Sequence, residues 1–559
     1  VKQRVQDLVA VGDKLFSDRS PILSLWQAMA ENFHVMRADF TRTRYISEEF
    51  GSYLLSGRPA RCHRDLKNAF TSMLRPRDKI WLHARTDNPR VNEDRQAKMW
   101  LDWASERQHK AMYDRRAQFV RATKDADGDF CAFGNTVIVR EICDYDHLLY
   151  TTWHLRDVAW EENDKRVVDT MYFDWRPQAR QMIQKFGKGK LGVATAVANL
   201  RNEERFKEIK ARRILLPADE YDLPAQTTRG LKFVSIYVDV ENQHILEETP
   251  LRNWPVTCAR WESAGSMYGR QYGYSPPVVY GLPDARMQQQ MMLSMLEASE
   301  MAVKPALITV GEAINGSTNL YAGGLTQVDA DYDERTGEVL RPITMQLEGI
   351  RYGAEQLDRL EAGLDDAFFL NKIRFPEITK QMTAYEASKL WDEFIRGSLP
   401  LFEPVEVEYN GDLCDGTFQD LLALGRFGSV EEMPQILRGR DITFQFDTPI
   451  TVAAEKALTG AFEGMLQVLV AGAQVDPDVA LLADMPKATR EAIDGTGAPA
   501  DWLLDERKFD ERRQQKAQAA AAAAQAEAVA AGADVATRVA TAADSAGRAA
   551  QSLQGAGLA

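Results

Sequence analysis

GLPDARMQQQMMLSMLEASEMAVKP (Gly281–Pro305) decides the architecture of the chain when it is read together with EGIRYGAEQLDRLEAGLDDAFFL (Glu348–Leu370). In the first stretch Pro283 and Asp284 suit the opening turn of a helix, and Lys304 stands just before the terminating Pro305. About 22 residues at 1.5 Å each predict a rod of roughly 33 Å. Met287, Met291 and Met295 form one stripe, joined by Met292 and Leu296. Such a stripe reads first as core filling; the alternative is a surface that slides or adapts, because thioether side chains repack easily. In the second stretch Ile350, Leu357, Leu360, Leu364 and Phe368 share one side of a helix. Its other side is acidic, with Glu348, Glu355, Asp358, Glu361, Asp365 and Asp366 outnumbering Arg351 and Arg359. Between the two helices lie roughly 40 residues of β-like pieces and turns, including RTGEV, where Thr336 and Gly337 suit a hairpin. The centre of the chain therefore predicts a two-helix stalk carrying a small β-rich head.

Toward the N-terminus the pattern is mixed. Leu8, Val11, Leu15 and Phe16 recur at helix spacing until Pro21 interrupts, Ile22 to Phe33 resumes it, and His63 to Leu74 predicts another helix. PRDKIWLHA reads as a short strand, followed by one long charged helix from Pro89 to Asp125 that faces solvent in part. From Phe133 the texture turns to β, with TVIVREI, LLYTTWHL and RVVDTMYFDW separated by polar breaks. A helix follows over Arg176 to Phe186. KFVSIYVDVEN then alternates, placing Val234, Ile236, Val238 and Val240 on one face of a half-buried strand in a small antiparallel sheet. Beyond the stalk, TAYEASKLWDEFIRGSL opens on a capping box of Thr383 and Glu386, and DITFQFDTPI reads as a strand.

The chain closes on a charged segment, LLDERKFDERRQQKAQ, that runs into AQAAAAAAQAEA (Ala517–Ala528). From Ala517 to Ala559, 21 of 43 residues are alanine, the best helix former, while Asp534 with Arg538 and Asp544 with Arg548 are spaced as i, i+4 pairs. A helix is expected, weakest at Gly532 and Gly547 and frayed past Gly555. An alanine face buries too little area to dock firmly on a globular body, so the helix needs identical neighbours, to which small side chains allow close approach.

Composition sets the outer limits. With 45% hydrophobic residues in 559, the chain can bury several cores. Its 82 acidic and 68 basic residues give a net charge of −14, which opposes generic adhesion to nucleic acid or anionic lipid. Five scattered cysteines, Cys62, Cys131, Cys143, Cys258 and Cys414, suggest neither a disulfide framework nor a zinc site. The charged first twenty residues lack the apolar core of a signal peptide, and no apolar run approaches the roughly 18 residues of a membrane span. A soluble intracellular protein in a reducing compartment is expected.

Motifs for chemistry fail on inspection. GKGKLG satisfies GxGxxG through Gly187, Gly189 and Gly192, yet it follows a helical segment where a dinucleotide site needs a strand, so a glycine helix cap is the better reading. DADGD (Asp125–Asp129) and DADYDE (Asp329–Glu334) resemble the start of a calcium loop, but position six is Phe130 or Glu334 and position twelve Thr136 or Leu340. Both read as solvated turns. The histidines His34, His63, His83, His109, His147, His154 and His244 show no metal spacing. No cofactor, metal or catalytic residue is expected, and the chain is read as a non-enzyme.

The order of these features resembles the portal, or head-to-tail connecting, proteins of short-tailed double-stranded DNA bacteriophages. RWESAGSMYGRQYGYSPPVVYGLPDARMQQQMMLSMLEASEMAVKPAL is similar to the Tyr-Gly-Arg stretch, helix start and long stem helix of that family. RPARCHRDLKNAFTSMLRPRDKIWLHA resembles its early helix and strand, MTAYEASKL its mTA-E helix, FDTPITVAAEKA its strand with proline and alanine, and LLDERKFDERRQQKAQAAAA its entry into a C-terminal helix. One departure is Gln271 after Tyr268-Gly269-Arg270, where members often carry a second glycine; glutamine lacks that freedom, so the local turn is expected to differ.

The resemblance implies an α+β, mainly α, portal fold. Its parts would be a wing over residues 1–280 with a small antiparallel sheet, a first stem helix over 281–304, a clip over 305–347 and a second stem helix over 348–371. A tunnel loop over 372–382, a wing return and crown over 383–500 and a C-terminal helical barrel over 501–559 would follow. It implies a ring, usually a dodecamer, at one capsid vertex of the virion, assembled in the host cytoplasm. The partners implied are further copies of the chain, double-stranded DNA in transit, the major capsid protein and scaffold, the terminase large subunit, and tail adaptor and tail proteins, with no membrane. An acidic stem face (Glu355, Asp358, Glu361, Asp365) would keep DNA off the channel wall, because many phosphate-binding lysines would hold it by counterion release. Lys372, Arg374 and Lys380 in the tunnel loop would touch phosphates in passing; the alternative is that they are ordinary loop charges. Another virion structural protein, an internal ejection protein or tail adaptor, and an enzyme remain the alternative classes.

Overall fold

The computed structural model describes residues 2–187, 206–221, 230–263, 271–303, 307–309, 340–342, 348–373, 405–447, 462–474, 482–494 and 506–555, apart from residues 46, 78, 144–146, 207, 430, 463 and 473. The chain forms two units, one of residues 1–89 with 100–455 and one of residues 90–99 with 456–559.

The first unit opens on helices Lys2–Asp18 (α1) and Ser20–Asn32 (α2), with Pro21 in the first turn of α2, where its missing N–H costs nothing. Helix Arg58–Leu74 (α3) likewise starts on a proline, Pro59, and strand Leu82–Thr86 (β1) follows. The stretch expected as one long helix is instead three, Pro89–Glu93 (α4), Arg95–Met112 (α5) and Phe119–Phe133 (α6), of which residues 90–99 are counted with the second unit. Gln118, at φ +54°, takes the left-handed conformation that turns the chain between the last two. Helix α6 is not solvent-facing: eleven of its fifteen residues are buried, among them Asp127 and Asp129. DADGD thus lies within a helix rather than in a solvated turn, with Asp125 exposed and Ala126 to Asp129 buried. Its charges were the misleading signal, because partners distant in sequence neutralise them.

Strands Asn135–Cys143 (β2) and His147–Thr152 (β3), with Val256–Arg260 (β9), make a three-stranded antiparallel sheet in the order β3-β2-β9. Strands Val158–Glu162 (β4), Val168–Trp175 (β5), Ala211–Pro217 (β6), Phe233–Asp239 (β7) and His244–Leu251 (β8) make a five-stranded meander in sequence order. Helix Ala179–Phe186 (α7) precedes Gly187, which caps it at φ +74° by donating its N–H to the Ile183 carbonyl at 3.0 Å. That is the cap expected for the first glycine of GKGKLG; Gly189 and Gly192 lie outside the described residues.

Strand β7 differs from expectation. Val234, Ile236 and Val238 pack with Val5, Leu8, Leu15 and Phe16 of α1, while Tyr237 on the opposite face packs with Met182 and Phe186 of α7. Both faces are covered, so the strand is buried rather than half-buried. Alternation in the sequence showed only the more apolar face, since Tyr237 and Ser235 read as polar.

Two short strands, Glu262–Ser263 (β10) and Gly273–Tyr274 (β11), pair beside α6. Here Gly134 caps α6 at φ +71°, and a Cβ on it would lie 2.1 Å from the Tyr274 carbonyl carbon, so only glycine fits. Gln271, where the family pattern departs, accepts a hydrogen bond on its carbonyl from the Trp160 indole at 2.8 Å.

The central helix runs Pro276–Val303 (α8). It starts five residues before the expected site, because Pro276 and Pro277 occupy its first turn, and Pro283 lies inside it. Strands Leu307–Thr309 (β12) and Leu340–Pro342 (β13) pair antiparallel, with Leu307 opposite Pro342, and the RTGEV hairpin and DADYDE between them lie outside the described residues. Helix Glu348–Ala367 (α9) returns, and Phe369 at φ +54° separates it from the single turn Leu370–Ile373 (α10). The capping box at Thr383 also lies outside the described residues. A π-helical turn, Val405–Gly411, continues into helix Asp412–Ala423 (α11), and strand Ile442–Phe446 (β14) pairs with β1.

In the second unit helix Met485–Asp494 (α12) precedes helix Glu506–Gly555 (α13), which runs unbroken through Gly532 and Gly547. Fifty residues make a rod of about 75 Å. Among the described residues no helix is long and apolar enough to cross a membrane.

Candidate functional site

Helices α8 and α9 form an antiparallel hairpin, and small residues set its register. A Cβ on Gly281 would meet the Phe368 ring at 3.2 Å, one on Gly363 the Asp284 carboxylate at 3.3 Å, and one on Gly353 the Met295 sulfur at 2.4 Å. Between these points buried Gln288 donates from Nε2 to Glu361 Oε1 at 3.2 Å. Met295 therefore faces α9, as a core methionine should, whereas Met287 is 57% exposed. The methionine stripe is split between the hairpin seam and its outer surface, so core filling accounts for only part of it.

The three consecutive glutamines have three different environments. Gln288 faces α9, and Gln290 is exposed. Gln289 accepts on Oε1 from the backbone N–H groups of Leu55 and Ser56 at 2.9 and 3.0 Å and donates to the Ser56 carbonyl at 2.8 Å. This side chain completes the hydrogen bonding of a loop backbone, a role that nothing in the QQQ run announces.

The hairpin has a buried root and an open far end. At the root Leu364 and Phe368 are fully buried, and the Phe368 ring lies tilted against Phe33, the C-cap of α2, with ring centroids 5.2 Å apart. Arg58, the first residue of α3, pairs with Asp365, whose Oδ1 also lies 3.5 Å from the Cys62 sulfur. Toward the far end Leu293, Leu296, Met301, Val303 and Tyr352 are exposed, and Val303 reaches 79%.

The four acidic residues expected on one face of α9 divide in the same way. Glu355 and Asp358 are exposed, Glu355 with Arg351 4.0 Å away. Glu361 and Asp365 are half-buried and engaged by Gln288 and Arg58. Exposed Asp366 and Arg359 complete the outer surface. Of the basic trio, Lys372 is exposed in α10 with its ammonium 5.4 Å from the Phe369 ring centroid, and Arg374 and Lys380 lie outside the described residues.

A second constellation went unnoticed in the sequence. Asp127 of α6 is fully buried and receives three donors: the Arg75 guanidinium, the Tyr409 hydroxyl at 2.9 Å and the Thr71 hydroxyl at 2.8 Å. Arg75 also donates to Asn410 Oδ1 at 2.8 Å and lies over the Tyr409 ring. Burial works against the Arg75 charge, but Asp127 outweighs it and raises the pKa; burial and Asp127 together push the Tyr409 phenol well above its usual range. Two residues further along α6, buried Asp129 sits 3.1 Å from Arg37 Nε. Burial raises its carboxyl all the same. The rings of His34 and His63 lie tilted against each other with centroids 4.7 Å apart, and burial lowers both, His63 to about 4. His63 Nε2 is 2.9 Å from the Gly128 carbonyl. Among the described residues no cluster of three His, Cys, Asp or Glu side chains could hold a metal.

The described residues make a mixed α+β body that carries a long two-helix hairpin. The model of the family described as bacteriophage head to tail connecting protein matches residues 5–504, and the chain belongs to that family of virion components. No curated protein matches it. Among solved structures it is similar to the neck of an empty gene transfer agent particle computed with sixfold symmetry, at 10% identity and a TM-score of 0.34 over 77% of this chain and 88% of that one.

Proposed function

We propose that copies of this chain assemble into a portal ring at one capsid vertex, through whose axis double-stranded DNA is packaged and later ejected. The observation that carries this reading is the family match over residues 5–504 together with a hairpin whose root is built into the body and whose far end leaves large apolar side chains uncovered. In a ring those side chains and the exposed length of α13 meet neighbouring copies, so that α8 and α9 form the stem, β12 and β13 begin the clip, and α13 forms a barrel. The ring docks on the major capsid protein and scaffold, then on the terminase large subunit, and finally on tail adaptor and tail proteins.

Of the four, Glu355, with Arg351 beside it, and Asp358 are the exposed carboxylates that repel DNA, since Glu361 and Asp365 are already engaged. Lys372, with Arg374 and Lys380, supplies transient phosphate contacts at the narrowest point. The pair of expectations is tested on assembled rings by DNA binding against salt and by packaging. Glu355→Lys with Asp358→Lys is expected to convert weak binding into tight, steeply salt-dependent binding and to slow packaging, because each added lysine contributes a phosphate contact. Alanine at Lys372, Arg374 and Lys380 is expected to reduce DNA retention. Unchanged binding in the first variant and unchanged retention in the second would remove both assignments.

A further inference from the structure

Both ends of the excursion from Ile373 to Val405 are tied to one helix, α3. At its first residue Arg58 holds Asp365, in the last turns of α9, just before the chain enters α10. At its C-cap Arg75 holds Asn410 and, through Asp127, Tyr409, both in the π-helical turn where the chain returns. The 17 residues between these clamps span about 26 Å, with no glycine inside the helix and its one proline in the first turn, where it does not bend it. The middle of α3 is in turn fixed to α6, by His63 against the Gly128 carbonyl at 2.9 Å and by the Phe70 ring set edge-on to Phe130 at 6.2 Å.

Apolar packing alone would hold α9 and the π-helical turn in place without charges. Arg75, Asp127, Tyr409 and Asn410 are all buried, and taking such groups out of water is costly unless every partner is placed correctly. What charged clamps add over greasy contacts is direction and register. Sliding α9 along its axis must either break the Arg58–Asp365 pair or carry α3 with it, and α3 cannot move without dragging Arg75 against Asn410 and Asp127.

We infer that α3 is a strut that fixes the separation between the points where the chain leaves at Ile373 and returns at Val405, with Arg58 and Arg75 as its positioning residues. On the portal reading, which this inference extends, the segment so spanned includes the tunnel-loop residues Arg374 and Lys380. The strut then makes the two feet of that segment move as one, so that a push on the stem is transmitted to the body.

Hydrogen exchange followed by mass spectrometry on the full chain tests this, and it needs neither a ring nor DNA, so its outcome is independent of the portal reading. Arg58→Ala is expected to speed exchange about tenfold not only in residues 361–373 but also in 405–411, at the far end of α3. Tyr409→Phe, which removes one donor from Asp127, is expected to speed exchange in 361–373 in return. Arg58→Lys should restore the rates at 405–411, and strands β5 to β7 should not change in any variant. Faster exchange confined to the mutated end, in either variant, would overturn the inference; should Arg58→Ala fail to fold, the Tyr409→Phe arm decides alone.

Discussion

Helices α3 and α13 are both expected from the sequence and both present, yet they are opposite kinds of object. Helix α3 has 17 residues, seven of them buried, and is clamped at both ends by charge. Helix α13 has 50 residues, and every described side chain from Lys508 to Arg548 is exposed. The first is stabilised within one chain. The second has propensity and the Asp544–Arg548 pair at 3.1 Å, each worth only fractions of a kcal/mol, and its described side chains lack the burial that makes a long helix persist in water. A single polypeptide thus contains a helix built into a core and a rod whose described side chains all face solvent, which on the proposed reading neighbouring copies cover.

The contrast can be broken most severely at Arg75. Arg75→Met leaves Asp127 charged and buried without its cation, and a loss of about 3–5 kcal/mol in urea denaturation is expected. Gly134→Ala should cost about 3 kcal/mol by the same measurement, because the left-handed backbone and the Tyr274 carbonyl both exclude a Cβ. If either variant keeps wild-type stability, the body is not held in the way described.

Acid probes the same region more gently. The folded-state pKa of His63 is about 4 against an ordinary 6.5, so the unfolded chain binds more protons between those values. The stability this residue contributes is complete above pH 6.5 and is lost as pH falls toward 4, by about 2 kcal/mol at pH 5. His34 adds in the same direction, while Asp129, whose carboxyl is raised, works the other way. His63→Gln should flatten the urea midpoint between pH 7 and 5. The smallest effect is expected in the rod: Gly547→Ala meets no atom within 4 Å and should stabilise α13 locally by about 1 kcal/mol. Tail helicity should rise while the unfolding midpoint of the body stays put.

The parts legible in the sequence were those carried by local pattern. The period of α1, the break at Pro21, the Gly187 cap and the alanine helix all follow from neighbouring residues, as does the central pair of helices, whereas α3 begins at Arg58, five residues before the expected His63. What escaped notice depends on residues far apart. DADGD reads as polar surface until Arg75, Tyr409 and Thr71 are brought to Asp127, some 50 to 280 positions away. Strand β7 reads as one-faced until α7 is laid on Tyr237. The acidic row on α9 reads as uniform, although Arg58 claims Asp365 and leaves Glu355 in solvent. Pro276 and Pro277 could have placed the start of α8 correctly, and the more conspicuous Pro283–Asp284 pair drew the boundary inward.

The central claim is that the stem and tail are completed only by identical copies. Electron-microscope images of the purified full chain at micromolar concentration test it most directly. Rings of about a dozen subunits around an axial hole are the predicted result; a population of monomers or dimers with α13 fully helical would contradict the account.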